Sequence, residues 1–319
     1  MNALMKVLIA LILVAVVNSS VLANTASVPK IGIVLPLEHP AMQEIVDGFE
    51  LGLKANYPHP VSIHVENAQN DLNLQRAIIS QFRDQHDDLI VPIGTSTTQM
   101  TAMIAKQQSI VALAADDTSL EAERNAASHV AMVHDEINSL QALSFLHQAY
   151  PALTRITLIH SASDKIFPEV QQAILDGKKE RIEVKPIMVA TLPDLYATLK
   201  NLPQDTQAIF ILKDGLMASG ATNIAQEAMV RHILFMASDQ DSVKAGAHFA
   251  LGVYERQIGE EGGRLVAEIL SGQSPGSLPI VHMTKLTVFV NQHSFQAIDQ
   301  AISPIVSAAA TSHYPTQVY

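Results

Sequence analysis

The chain has 319 residues, with 31 acidic against 20 basic side chains for a formal net charge of −11, and it contains no cysteine. The acidic balance argues against nucleic acid or an anionic membrane surface as a partner, because both are negatively charged. The lack of cysteine excludes disulfides, thiolate metal sites, a cysteine nucleophile and a lipid-modified cysteine. A chain of this length is expected to form two domains of ordinary size.

The N-terminal segment 1–23 has the pattern of a cleaved export signal. Lys6 supplies the charged start, Val7–Val17 forms an apolar run, and Val21–Ala23 places short side chains before a cleavage point. An apolar run of about 11 residues is too short to span a bilayer. An ordinary buried or membrane helix is the alternative. We expect an exported, periplasmic protein that carries no lipid and whose mature chain begins near Asn24.

Short runs rich in Ile and Val alternate with segments of helical periodicity along the rest of the chain. The first set of predicted strands comprises Ile31–Leu35, Val61–Glu66, Leu89–Ile93, Ile110–Leu113 and Val130–Val133. The second set comprises Ile156–His160, Val184–Val189, Ala208–Leu212, Ile233–Met236, Phe249–Gly252 and Thr287–Val290. Continuous apolar runs are typical of parallel strands covered on both faces, and intervening helices enforce parallel pairing. The pattern pauses near His134–Ile137 and restarts, which predicts an α/β protein of two lobes with parallel sheets.

The loops after these strands carry the candidate binding residues, because open parallel sheets bind ligands beyond the carboxyl ends of their strands. Hydroxyl side chains at Thr95–Thr97 begin a predicted helix, whose free backbone N–H groups favour an anion such as a carboxylate. Asp116, Asp117 and Asp239 follow other strands and could hold a ligand ammonium. Helix capping is the alternative role for each of these side chains.

An enzyme is not expected from the motifs in the sequence. There is no Gly-x-Ser-x-Gly elbow and no His-Glu-x-x-His pair, and the 13 histidines are scattered. Gly262 and Gly263 fall inside a predicted helix and not after a strand, so they do not form a phosphate loop. We expect no metal and no cofactor.

The sequence resembles the ABC-type periplasmic substrate-binding proteins, in the poorly characterised class that includes aromatic-amino-acid binders. The most specific segment is Ala237–Ala247, and the similarity extends, with gaps in the middle, over nearly the whole mature chain. The other segments that carry it are Ile31–Ile33, Glu38–Ala41, Glu66–Asp71, Asp88–Val91, Gly94–Ser96, Gly252–Val253 and Gly259–Arg264.

The resemblance implies a type I periplasmic binding protein, with two Rossmann-like lobes joined by three crossing strands. The N-terminal lobe is expected to comprise 27–134 and 255–273, and the C-terminal lobe 135–254 and 274–302. The tail 303–319 has no helical stripe, so disorder and packing on the second lobe both stay open.

The resemblance also implies a ligand site in the cleft between the lobes, with the hydroxyl loop holding a ligand carboxylate and Asp239 its amine. The residues assigned to this site are Glu38, His39, Thr95, Ser96, Thr97, Asp116, Asp117, Asp214 and Asp239. The sequence departs from the family pattern in the second lobe and hinge. Lys213-Asp214-Gly215 replaces a Pro-Thr-Asp-Asn-like loop, and Tyr254 and Glu255 follow Val253.

The resulting hypothesis is a monomeric receptor for a small polar ligand, an amino acid or similar zwitterion, that delivers its ligand to an ABC permease in the inner membrane. The alternative is a periplasmic sensor that reports the ligand to a membrane receptor or kinase. Neighbouring permease and ATPase genes would favour uptake, whereas a kinase or cyclase gene would favour sensing.

Overall fold

The structure is a computed structural model, and it describes residues 28–319 apart from 117, 123, 124, 126, 136, 164 and 165. The predicted export signal at 1–23 and the candidate Asp117 lie outside the described residues. Among the helices that are described, none is both long and apolar enough to cross a membrane.

Strands and helices alternate along the chain as the apolar pattern predicts. The strands are β1 (Lys30–Leu35), β2 (Ser62–Asn67), β3 (Leu89–Pro92), β4 (Ser109–Leu113), β5 (Val130–His134), β6 (Arg155–Ser161), β7 (Glu183–Val189), β8 (Ala208–Phe210), β9 (Leu234–Ala237), β10 (Phe249–Gly252), β11 (Val281–His282), β12 (Thr287–Val290) and β13 (Thr316–Val318). The helices are α1 (Pro40–Asn56), α2 (Leu72–Asp84), α3 (Thr95–Ile104), α4 (Thr118–Ala122), α5 (Ser139–Ala149), α6 (Ile166–Lys179), α7 (Leu192–Lys200), α8 (Gly215–Ser219), α9 (Ala221–Arg231), α10 (Gln240–Lys244), α11 (Glu255–Leu270), α12 (Gln292–Ala297) and α13 (Ser303–Thr311).

Two separate sheets form the two lobes. Within the described residues, the first sheet has six strands in the order β11-β5-β4-β3-β1-β2, and its strand pairs are all parallel. The second has seven strands in the order β13-β12-β10-β9-β8-β6-β7, in which β12 runs antiparallel to β10. The central strands β3, β5, β8, β9 and β10 are buried along their whole length. The predicted α/β architecture of two lobes with mostly parallel sheets is confirmed.

The chain passes between the lobes three times within the described part of the structure. The first passage joins β5 to α5, the second joins β10 to α11, and the third joins β11 to β12. The two residues of β11 pair with β5 in the first sheet. The segment up to His282 therefore lies with the first lobe, whereas the resemblance implies that 274–302 belongs to the second.

Helices α1 and α11 pack together through glycines on the first lobe. A Cβ atom added at Gly48 or Gly52 would overlap the backbone of Arg256 or Glu260, and one added at Gly259 would overlap the backbone of Ile45. The absence of side chains lets the two helix backbones approach directly. This contact fixes α11, which follows the second passage, on the first lobe.

The tail belongs to the second lobe. Ile305 and Ala309 of α13 are buried, and the Tyr314 ring lies 6.1 Å from the Phe145 ring of α5. Strand β13 then pairs in parallel with β12 and extends the second sheet. Of the two possibilities that the sequence leaves open for the tail, packing on the second lobe is the one observed.

Candidate functional site

The carboxyl ends of the parallel strands in the two sheets bring polar side chains to the passages between the lobes. The loop after β3 is the first element of this edge. Gly94 has φ = 89° and precedes α3 without a side-chain cap, so the hydroxyls of Thr95–Thr97 do not act as the N-cap. The backbone N–H groups at the start of α3 are therefore presented at the edge of the sheet.

The three hydroxyl residues of that loop point in different directions. Thr95 Oγ1 accepts a hydrogen bond from the Asp116 backbone N–H at 3.1 Å. Ser96 is exposed at the helix start. Thr97 is fully buried and donates to Gln75 Oε1 at 3.3 Å, inside the first lobe. Of the three side chains, that of Ser96 is the one that is exposed, while those of Thr95 and Thr97 are buried.

Asp116 connects the loop after β4 to the end of β5. Its Oδ1 lies 3.4 Å from Nδ1 of the buried His134, and Glu121 Oε1 lies 3.2 Å from the other ring nitrogen. The His282 ring of β11 contacts the His134 ring edge-on at 4.8 Å between centroids. His134 thus lies between two carboxylates beside the first passage between the lobes.

Glu38 and His39 follow β1 and precede α1. Glu38 is exposed, and His39 is half-buried. His39 caps α1, because its Nδ1 accepts a hydrogen bond from the Ala41 backbone N–H at 3.2 Å. The same nitrogen lies 3.7 Å from Asp241 Oδ2 of the second lobe, so His39 faces across the gap between the lobes.

The two candidate acids of the second lobe both cap helices. Asp214 accepts from the backbone N–H groups of Leu216 and Ser161, at 3.0 and 2.7 Å. Asp239 accepts from the backbone N–H and the hydroxyl of Ser242, each at 2.7 Å. The capping alternative is what the geometry shows for both side chains. Each carboxylate oxygen can accept a further hydrogen bond, so capping does not prevent contact with a ligand.

A buried ion triad joins the second lobe to two of the passages. Lys213, after β8, contacts Asp135 Oδ2 at the end of β5, and its Nζ lies 3.0 Å from Glu255 Oε1 at the start of α11. Asp135 and Glu255 are 2% and 4% exposed. Burial lowers the pKa of Lys213, but the attraction of both carboxylates outweighs it and raises that pKa above its ordinary value, so Lys213 stays protonated.

Burial has the opposite effect on the pKa of Glu255, one of the two acids of the triad. It raises the pKa of Glu255 to about 7, with Lys213 opposing the rise and Asp135 adding to it. One ammonium is therefore shared by two carboxylates, and Asp239 adds a further negative charge to the surroundings of Glu255. Lys213 is the cationic group that these carboxylates hold at this point of the gap.

A groove of about 370 Å³ lies beside this edge, between α1 of the first lobe and α10 of the second. It is lined by Glu44, Gln240, Tyr254, Arg256, Gln257 and Glu260. Gln240 donates to the Tyr319 hydroxyl at 2.5 Å, and Gln240 is 9% exposed. A volume of this size can accommodate a small metabolite.

Sequence reasoning did not name as site residues four charged or titratable side chains that the structure brings to this edge, namely His134, Asp135, Lys213 and Glu255. A usable signal was present, because charged residues directly follow all-apolar strands: His134-Asp135 after Val130–Val133, and Lys213 after Ile209–Leu212. Lys213 and Glu255 stand out in the sequence only as departures from the family pattern. In the part of the chain that the structure describes, no group of three or more His, Asp or Glu side chains has the arrangement of a metal site.

Comparisons with known proteins identify the same class of protein. A family model described as ABC transporter substrate binding protein matches residues 30–314. A protein from Rickettsia prowazekii named uncharacterized protein RP367 is 40% identical over 266 residues, covering 83% of this chain and 84% of the relative. A tyrosine-binding protein from Clostridioides difficile is 24% identical over 278 residues, covering 84% and 80%.

The fold agrees with solved structures. A crystal structure from Streptococcus pneumonia, described as an ABC domain in complex with L-Trp, superposes with a TM-score of 0.82 at 19% identity and covers 92% of this chain and 100% of its own. The predicted type I periplasmic binding protein fold is confirmed by this likeness.

Proposed function

The chain belongs to the family of ABC transporter substrate-binding proteins, and we propose that it captures an amino acid or a similar small zwitterion between its lobes and delivers it to an inner-membrane permease. The observation that carries the proposal is the continuous polar edge between the lobes. It runs from the α3 start through Asp116 and His134 to Asp135, Lys213 and Glu255, with contacts from both sheets. A ligand placed there touches both lobes.

The charges of this edge suit the two ends of a zwitterion. The start of α3 offers backbone N–H groups and the exposed Ser96 hydroxyl to a ligand carboxylate, which is favoured at a helix N-terminus. Across the gap, Asp239 retains acceptor capacity for a ligand ammonium. Glu38, His39, Asp116 and Asp117 are proposed to line the same cleft. The tyrosine and tryptophan in the names of the relatives support the choice of an amino acid.

Binding in this position gives the protein its mechanism. A ligand that contacts both lobes has differential affinity for the closed arrangement, so binding shifts the population toward closure. The closed protein is the form that a permease recognises. We further propose that 1–23 exports the chain to the periplasm and that the mature protein is a monomer.

A thermal-shift screen with the twenty amino acids, followed by calorimetry on those that respond, tests the proposal. We expect at least one to raise the melting temperature by mass action, with a Kd on the order of 1 μM, or roughly −8 kcal/mol. Ser96→Ala removes the exposed hydroxyl and should weaken the binding. Thr311→Ala, which removes a surface hydroxyl on α13, is the matched control and should not. A screen in which no amino acid stabilises the protein would contradict the proposal.

A further inference from the structure

Lys213 occupies a central position in the proposed cleft. Strands β8 and β9 pair in parallel with Phe210 opposite Met236. Beyond that pair, the Ser238 hydroxyl donates to the Ile211 carbonyl at 2.9 Å, so the carboxyl ends of the two strands lie side by side. Lys213 and Asp239 each stand three residues beyond that pair. Both residues lie in the loops that directly follow these two neighbouring strands, which are about 4.8 Å apart in a sheet. The charge of Asp239 also acts on the pKa of Glu255, which Lys213 contacts, so both side chains border the proposed cleft.

The two acidic partners of Lys213 form a binding position for an ammonium group, called the ammonium position below. Asp135 and Glu255 are buried carboxylates on two different passages between the lobes, and Lys213 contacts both. Two buried carboxylates would be strongly destabilising without a cation, because each has lost its hydration. The Lys213 side chain occupies this ammonium position, so an ammonium group of a ligand cannot enter it.

We propose that Lys213 is a specificity-determining residue that limits the ligand to one ammonium group. The ligand ammonium takes the place beside Asp239, and the second acidic position is already filled by Lys213. A ligand with another cation on its side chain would meet the Lys213 charge and find no free carboxylate pair. The substrate class is thereby narrowed to amino acids whose side chain carries no positive charge. This inference rests on the proposed function.

The first experiment tests the ammonium position without the natural ligand. Lys213→Ala removes three carbons and the ammonium, so n-propylammonium has the size and charge of the missing group. We expect the variant to melt at a lower temperature than the parent, and to recover in a saturable manner with n-propylammonium. The neutral 1-propanol should not restore it, and the parent protein should not respond to either compound.

Lys179→Ala is the matched control. Lys179 also pairs with a buried carboxylate, Asp176, but its side chain is 58% exposed, so its removal leaves no enclosed position. The amine should not restore this variant. Recovery of Lys213→Ala by propanol as well as by the amine would overturn the inference, as would failure of that variant to fold with or without the amine.

The second experiment tests selectivity in the parent protein. L-norvaline and L-ornithine have side chains of equal carbon number and differ by a terminal ammonium. Calorimetry should show at least about tenfold tighter binding of norvaline, or about 1.4 kcal/mol, and this ratio should shrink in Lys213→Met, which retains an apolar stem. Equal affinity in the parent would contradict the inference. If the thermal-shift screen finds no amino acid that binds, the proposed function fails, while the amine experiment still tests whether Lys213 fills an enclosed ammonium position.

Discussion

Asp239 has two roles in the proposed function, because it caps α10 through Ser242 and is proposed to hold the ligand ammonium. Asn and Asp are about equally good N-caps, so Asp239→Asn separates the two roles. We expect the free energy of unfolding to change by no more than about 0.5 kcal/mol, whereas ligand binding weakens by about 2–5 kcal/mol because a charged partner is lost.

Urea unfolding measures the stability of the variant, and calorimetry with the best ligand of the thermal-shift screen measures its affinity. Asp241→Asn, next along the same helix, keeps the cap and removes an outer charge; it should affect binding less. Unchanged affinity in Asp239→Asn would remove this residue from the site. Lost affinity with an equally large loss of stability would mean that Asp239 acts through the cap.

His248 makes a second prediction at the scale of one residue. It is fully buried, its Nδ1 accepts from the Phe235 backbone N–H at 3.0 Å, and burial lowers its pKa to about 4. In the unfolded chain the pKa of a histidine is about 6.5. Between these values the unfolded state binds one more proton, so this contribution to stability is complete above pH 6.5 and is lost as the pH falls toward 4.

The size of the effect follows from the two pKa values. The contribution amounts to about 3 kcal/mol, or about 1.4 kcal/mol per pH unit across that interval. His248→Asn keeps an acceptor near the position of Nδ1 and removes the titration. Its unfolding free energy should be lower at pH 7 but should depend less on pH between 6.5 and 4. Parallel pH profiles for the two proteins would show that His248 does not titrate as described.

At the scale of elements, the glycine contact between α1 and α11 fixes the helix that follows the second passage. Gly259→Ala would drive a methyl group into the backbone of Ile45, which cannot move independently of its helix. We expect a loss of about 1–3 kcal/mol in the free energy of unfolding. Gly215→Ala at the start of α8 meets no atom within 4 Å and is the matched control. It should be neutral or stabilising, and comparable losses in both variants would contradict this account.

The sequence predicts the long apolar elements and misses the short ones, for a physical reason. Strands such as β3 and β5 are continuous apolar runs because helices or loops cover both faces of the sheet. Strand β11 has two residues and β13 is fully exposed, so neither has an apolar pattern to detect. The sequence of α13 shows no helical stripe, so the burial of its Ile305 in the hydrophobic core is seen only in the structure.

The candidate site, too, could be predicted only in part. The loops could be predicted, because parallel strands bring their carboxyl ends to one edge. The direction of each side chain could not, since it depends on the residue at which the helix begins. With α3 beginning at Thr95, Ser96 faces outward and Thr97 inward. The pairing of Lys213 with Asp135 and Glu255 joins residues far apart in the chain, and no local pattern indicates it.

At the scale of the whole molecule, two charged contacts join side chains of the two lobes outside the passages, among the residues that the structure describes. Lys244 lies 3.6 Å from Glu44, and His39 lies 3.7 Å from Asp241, and all four side chains are partly exposed. A partly exposed ion pair such as Lys244–Glu44 contributes about 0–1 kcal/mol. The balance between open and closed arrangements is therefore small enough for a micromolar ligand to change it.

The central claim is that one amino acid is held between the two lobes, and a crystal structure of the protein with the ligand selected by the thermal-shift screen tests it most directly. We expect the ligand carboxylate at the start of α3 and its ammonium within about 2.7–3.2 Å of an Asp239 oxygen, with Lys213 still on Asp135 and Glu255. A ligand bound to one lobe alone, or on a surface away from the strand ends, would contradict it.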